Sequence, residues 1–524
     1  MALSEPESGH PNRALSRVND HDLRPRVAEV LDRWPSAGLA VGVVRDGALE
    51  WFLGHGVADI ESKQPITEET VFRIGSITKT FTAIAVMQLW EQGLLDLDAP
   101  ASDYLRTLRL VPAKTSYRPT VRHLLTHTAG VGYWRRLSDL LQPGVGSGAR
   151  AGRRGAAPLA EYYRRGLPVE VDPGTRWAYS NHGFAVLGQI VEDVSGQPLD
   201  RYLREHIFAR LGMEHTDLVR SERVRPRLAT GYVLRSRGLK PVADRELPIP
   251  GAGGMYSSPA DMARYVAALQ RTGTAEHGAV LEPETFASMF QPHFRADPRL
   301  PGMGLAFELG EEGGHKTVGK GGIVSGFHSA IAMAPHDGVG VIAFSNTGGL
   351  DGRGVSAPLA TALLRRLLAL PDAPIRTDIP TRPDTWSEIC GWYSPDPGPI
   401  TNLPTRAIIG AGAEVAVRGG HLVLKPLTPV PALRRGMRLY PDDPDDPYVF
   451  RVEVPEFGGS LRVVFNRPHD GRTATRLLTD IFALRKRSEL RNPRRWVNAA
   501  LLAGATAVAV DRLRNRSPGA EPQP

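Results

Sequence analysis

The chain has 524 residues, 41% of them hydrophobic and 23% charged. It is too long for one ordinary core, and this composition excludes a wholly disordered or collagen-like chain. The net charge of +8 is no nucleic-acid footprint, because residues 485–524 hold nine Arg/Lys against three Asp/Glu and leave only +2 on the rest.

The single cysteine, Cys390, excludes an internal disulfide and any cysteine-rich zinc site, and it fits a reducing compartment. Lysine occurs only eight times against fifty-six arginines. Each lysine therefore raises the question whether its position needs an amine that can lose its proton.

Residues 1–20 are polar and expected to be flexible. Residues 22–34 read as a short helix. Gly38 to Val44 reads as an apolar strand, with a turn at Asp46-Gly47 and a returning strand from Ala48 to Val57. Ser76 to Gln92 reads as a buried helix stopped by Gly93. Residues 143–166, rich in Gly, Ala and Arg, read as a mobile insertion. Helices are expected over Asn181 to Val194 and Pro259 to Gln270. Strands are expected over Phe327 to Ala334 and Val339 to Asn346, and a closing helix over Val355 to Leu370. These elements form one α+β unit over 21–370.

A Pro-rich linker covers 371–385. Short β-prone runs then fill 386–487, the pattern of a small β-sandwich or barrel. A basic tail, 488–524, holds the uncharged run Trp496 to Val510. As a helix that run reaches about 22 Å, short of the roughly 30 Å of a bilayer core. It reads either as a peripheral membrane contact through the arginines of 491–516, or as a segment packed on the β domain or on a second copy. No export signal is visible in the first thirty residues, so the expected location is cytoplasmic, peripheral to a membrane if the tail lies on one.

Three motifs carry chemistry. Ser76-Ile77-Thr78-Lys79 opens the buried helix. Residues three apart share a helix face, so the Lys79 amine can stand beside the Ser76 hydroxyl and take its proton. Tyr179-Ser180-Asn181 supplies a phenol that can share a proton, and an amide that can orient a lysine. Lys320-Gly321-Gly322 precedes Ile323 and lets a strand edge approach a ligand closely, with a positive charge beside it. Singly, each has an ordinary reading: a helix start, a helix cap beside an aromatic, a glycine turn. All three in this order arise by chance about once in a hundred.

This set resembles the serine β-lactamase and penicillin-binding-protein superfamily, and most of all its class C β-lactamase-like branch, which includes esterases and D-amino-acid peptidases. Phe72-Arg73-Ile74-Gly75, His123 to Gly130, Gly253-Gly254-Met255-Tyr256-Ser257 and Ser345-Asn346 extend the resemblance over about 25–370. It implies an antiparallel sheet flanked by helices, an α/β (α+β) fold, followed here by the small C-terminal all-β domain. It implies Ser76 as the acylated nucleophile, with Lys79 and Tyr179 sharing general-base and general-acid duty. Asn181 would support the site and touch substrate, and Lys320 would be the third-motif cation. The oxyanion hole would be the backbone N–H groups of Ser76 and Ile323.

One position departs from the β-lactamase pattern. Gly321 stands where those enzymes carry Thr or Ser to hold the drug carboxylate, which leans the expectation toward a small ester or amide. A D-amino-acid peptidase or β-lactamase is the alternative, and a non-catalytic sensor with the same fold is the reading from another class. No metal, cofactor or nucleic-acid partner is called for, and the oligomeric state is left open. His127 is read as shaping a helix–loop corner.

Overall fold

The structure, a computed structural model, describes residues 20–134, 159–271, 274–275, 278–349, 354–371, 375–398, 400–428, 430, 432–454, 459–467 and 474–494. The N-terminal segment to residue 19, most of the Arg-rich insertion and the apolar run of the tail lie outside them. The chain divides into two compact units. The first takes in the residues up to Ile375 with Gly398–Leu403 and Glu453–Leu461. The second takes in Arg376–Pro397, Pro404–Val452 and the residues from Arg462 onward.

The first unit is built on a seven-stranded antiparallel sheet. Its strands are β1 (Gly38–Arg45), β2 (Ala48–Asp59), β3 (Gln64–Pro65), β4 (Glu308–Glu312), β5 (His315–Val324), β6 (Phe327–Ala334) and β7 (Val339–Ser345), in the order β4-β5-β6-β7-β1-β2-β3. Its longer helices are α1 (Asp20–Arg33), α2 (Thr78–Glu91), α3 (Asn181–Ser195), α4 (Pro259–Gln270) and α5 (Ser356–Leu367).

The inner strand β1 shows why the sheet is covered on both sides. Side chains alternate along a strand. Leu39, Val41 and Val43 of β1 join Leu23 and Val27 of α1 and Leu359 and Leu363 of α5 in one apolar cluster. Ala40 and Val44 join Phe81 of α2 and Met262 and Val266 of α4 in the other. With both faces buried, β1 reads as an unbroken apolar run.

α2 is buried from Thr78 through Leu89. Such a helix lies inside a core rather than on its surface. It starts two residues later than the sequence suggests, because Gly75–Ile77 forms a 3-10 turn first. Gly75 has φ +49°, and a Cβ there would lie 2.7 Å from the Ile323 amide nitrogen. Both the left-handed backbone and the close approach of β5 demand glycine.

β4 and the hairpin Gly231–Arg235/Gly238–Val242 have no counterpart in the sequence reading, and β5 extends back to His315. β5 contains Gly319, Gly321 and Gly322, which weaken any strand signal; its strand state is set by pairing with β6.

The all-β region pairs into one nine-stranded sheet. Its strands are β8 (Gly391–Pro395), β9 (Ala413–Arg418), β10 (His421–Pro426), β11 (Met437–Arg438), β12 (Tyr440–Pro441), β13 (Val449–Val454), β14 (Gly459–Asn466), β15 (Arg476–Leu478) and β16 (Ala483–Arg487), in the order β11-β10-β9-β8-β16-β15-β14-β13-β12. Arginine does cross-strand work here. Asp396 receives Arg476 at 2.9 Å and Arg485 at 2.8 Å, and half-buried Asp442 receives Arg451 at 2.9 Å and Arg462 at 2.7 Å. Among the described residues no helix is long and apolar enough to cross a membrane.

Candidate active site

The start of α2, the loop before α3 and the end of β5 meet at one cleft of the first unit, about 590 Å³ in volume. Ser76, Tyr179, Asn181, Lys320, Gly321, Gly322 and Ile323 all line it. Lys79 sits beneath, fully buried.

The segment before Ser76 is held from several sides. Phe72–Arg73 pairs with Tyr256–Ser257, the Ile74 N–H donates to the Met255 carbonyl at 3.1 Å, and the Met255 N–H donates to the Thr78 hydroxyl at 3.1 Å. The glycine-rich run at 253–257 that extends the family resemblance is therefore the wall against which the Ser76 turn is set.

Ser76 Oγ is the meeting point. Lys79 Nζ lies 3.0 Å from it, and the Tyr179 hydroxyl donates to it at 2.7 Å. Lys79 Nζ also donates to Asn181 Oδ1 at 2.7 Å and to the Ala252 carbonyl at 2.6 Å. A neutral amine has two hydrogens and one lone pair. With both hydrogens taken by carbonyl oxygens, its lone pair is left for the serine proton.

The charges around the serine favour that state. Burial, the largest influence, holds the Lys79 amine below its ordinary range; the nearby Lys320 charge acts in the same direction, and Tyr179 and Glu308 oppose it. Burial raises the Tyr179 phenol, but Lys79, whenever it carries the proton the pair shares, and Lys320 outweigh it and hold it below its ordinary value. Burial lowers the Lys320 amine, yet Glu308 and Tyr179 outweigh it, so Lys320 stays charged.

The Tyr179 segment carries two jobs at once. Ser180 caps α3 by accepting from the Gly183 N–H at 3.1 Å, and its hydroxyl donates to the Gly132 carbonyl at 2.9 Å. Its backbone N–H donates to His127 Nδ1 at 3.2 Å. The ordinary cap and the chemical reading are both present, and the cap fixes where Tyr179 points. His127 is buried, has φ +58° and packs its ring 4.5 Å from that of Tyr179. Burial, then the charges of Lys320 and Lys79, push its pKa well below the ordinary value. It is thus a neutral prop at the corner.

Gly322 and Gly321 differ in what they permit. A Cβ on Gly322 would lie 2.0 Å from the Ile74 carbonyl oxygen and 2.3 Å from Ser329 Oγ. On Gly321 the nearest atom is 3.9 Å away. Gly322→Ala is expected to destabilise the first unit by about 1–3 kcal/mol through overpacking. Gly321→Ala is expected to melt close to the parent temperature. Thermal unfolding of the two variants side by side checks this.

Three parts of the cleft, Glu308, Tyr133 and Ala252, escaped sequence reading, and a fourth, Arg73, was read there only as part of the Phe72–Gly75 run. Glu308 accepts from Lys320 Nζ at 2.6 Å, so the third-motif cation is already paired. Arg73, almost fully buried, donates to Asp244 at 2.9 Å. Tyr133 lines the cleft; burial first, then the neighbouring Tyr179, pushes its phenol up to about 12. The Ala252 carbonyl holds Lys79. None belongs to a spacing pattern.

The family model described as Beta-lactamase matches residues 25–366. The chain is 32% identical over 333 residues to esterase EstB of Burkholderia gladioli, covering 56% of this chain and 78% of the esterase. It is 28% identical over 365 residues to a beta-lactamase of Pseudomonas fluorescens, covering 63% and 93%. A D-aminopeptidase of Brucella canis is 26% identical over 412 residues, covering 75% and 72%. Among solved structures, the octameric penicillin-binding protein homologue from Pyrococcus abyssi has a TM-score of 0.56 at 24% identity, over 90% of this chain and 100% of that one. That structural likeness shows the fold alone. The family match spans more than half of the sequence and takes in every residue around the serine, and the chain accordingly belongs to the beta-lactamase family of serine hydrolases.

Proposed function

We propose that the protein hydrolyses a small ester or amide through an acyl-enzyme on Ser76, with esters preferred. The observation that carries this is the convergence of Lys79 Nζ and the Tyr179 hydroxyl on one serine oxygen, at 3.0 and 2.7 Å, from segments a hundred residues apart. Ser76 Oγ attacks the carbonyl carbon and its proton passes to the Lys79–Tyr179 pair. The carbonyl oxygen becomes an oxyanion held by the N–H groups of Ser76 and Ile323. The close approach of the Ile323 amide to Gly75 supports that assignment. The pair then returns the proton to the departing oxygen or nitrogen. Water, deprotonated by the same pair, releases the acid and frees Ser76. Asn181 orients Lys79, and Lys320 supplies a fixed positive charge beside Tyr179.

The preference for esters rests on Gly321, which offers no hydroxyl to a substrate carboxylate. The names of the Pseudomonas and Brucella relatives keep β-lactams and D-amino-acid amides as the second reading. A panel of p-nitrophenyl butyrate, D-alanine p-nitroanilide and nitrocefin decides between them. The expected order of kcat/KM puts the ester first. Turnover of nitrocefin or the D-alanine amide above the ester would reverse the reading. Failure of a fluorophosphonate probe to label the protein, with no turnover of any substrate, would leave a sensor of the same fold.

A further inference from the structure

Lys320 is buried and already paired. Its side chain is 1% exposed, and its amine is held by Glu308 Oε1 at 2.6 Å, while the Glu308 side chain itself is 54% exposed. Glu308 lines the same cleft as Ser76. We propose that Glu308 is a specificity-determining residue: its carboxylate occupies the amine that would otherwise receive a substrate carboxylate, so the site selects esters and amides that are uncharged where they face Lys320. This rests on the ester-or-amide reading above and names its substrate class.

Four observations support the assignment. Glu308 opens β4 opposite Gly319, the neighbour of Lys320 in β5, and from this strand end its carboxylate reaches the Lys320 amine at 2.6 Å. The approach to it is built rather than loose: Ala306, fully buried, takes a left-handed φ of +71° and donates its N–H to the Leu125 carbonyl at 3.1 Å. A non-glycine residue keeps that conformation only where its surroundings enforce it. The second anchor for a carboxylate is also missing at Gly321, although a side chain there would meet nothing closer than 3.9 Å. Space does not forbid a hydroxyl at that position. The other buried cation of the cleft, Arg73, is tied to Asp244.

A carboxylate entering this end of the cleft meets a like charge rather than a free amine. Opposite and like charges at contact distance differ by several-fold to a hundredfold in binding, and the exposure of Glu308 screens this toward the lower end.

The test uses two esters that differ in one charge. Methyl 3-acetoxybenzoate and 3-acetoxybenzoate release similar phenols, but only the second carries a carboxylate. The parent protein is expected to favour the methyl ester in kcat/KM. In Glu308→Gln that preference should fall by about tenfold, carried by KM of the carboxylate substrate. Glu308→Asp keeps the charge and should stay near the parent ratio. Adding Gly321→Thr should help the carboxylate substrate more in the Glu308→Gln background than in the parent, since only there is the amine free to share it.

Any general loss of activity cancels in the ratio. A ratio in Glu308→Gln within about twofold of the parent overturns the proposal. So does a parent that favours the carboxylate substrate, and so does complete loss of turnover in Glu308→Gln, which would put Glu308 in the chemistry instead of the choice of substrate. A parent that hydrolyses neither ester overturns the ester reading itself.

Discussion

Ser76→Ala is expected to lower kcat/KM for p-nitrophenyl butyrate by at least about a thousandfold and to abolish labelling by a fluorophosphonate probe. Removing the oxygen removes the atom on which Lys79 and Tyr179 converge at 3.0 and 2.7 Å. The fold should survive. Ser76 is half-buried at a 3-10 turn whose geometry is set by Gly75 and by the Thr78 hydroxyl, which donates to the Gly75 carbonyl at 2.6 Å. Thermal unfolding near the parent temperature separates lost chemistry from lost structure. Because the three side chains act as one unit, their effects should not add. Tyr179→Phe placed on top of Ser76→Ala should cost nothing further, while alone it should cost heavily in kcat. A Ser76→Ala protein that still turns over at the parent rate would remove the serine from the reaction.

The second large effect is on pH dependence. If the neutral Lys79 amine takes the serine proton, kcat/KM must rise with pH as that amine deprotonates. Burial, helped by Lys320, holds Lys79 below its ordinary 10.5, so the midpoint of the rise should lie below that value. The sign of the Lys320 influence makes the test specific. Its positive charge disfavours a proton on Lys79 and favours ionised Tyr179. Lys320→Met removes that charge, so the acid limb should move to higher pH. A stopped or steady-state pH profile of the ester reaction reads this directly. An unmoved limb would mean that neither Lys79 nor Tyr179 governs the ionisation seen in the rate.

Much of the site was legible along the chain because its parts are local. Ser76 and Lys79 stand three apart on one helix, a spacing that already brings an amine to a hydroxyl. Tyr179 and Asn181 flank a capping serine, and Lys320 precedes two glycines where a strand must pass close to Ile74. In a sequence with only eight lysines, two of them at these positions carried weight. The apolar run of β1 and the turn at Asp46-Gly47 were legible for the same reason: a continuous apolar run and turn chemistry each act over a few residues.

The remainder depended on long-range packing. Nothing near Glu308 in the sequence marks it, because its partner is twelve residues away across a strand pair whose glycines mute the β signal. Ala252 meets Lys79, and Ser180 meets Gly132, over separations that no spacing rule covers. The order of strands that seats β5 against the start of α2 likewise emerges only when both faces of the sheet are buried. Residue type and short spacing thus determine which groups can do acyl transfer, since those are properties of a helix turn or a loop. Which cation is free, how far Lys79 is dried out and what charge a substrate meets are set by burial and by contacts between distant segments. Those arise from the folded core, where desolvation and neighbouring charge decide the state of each group.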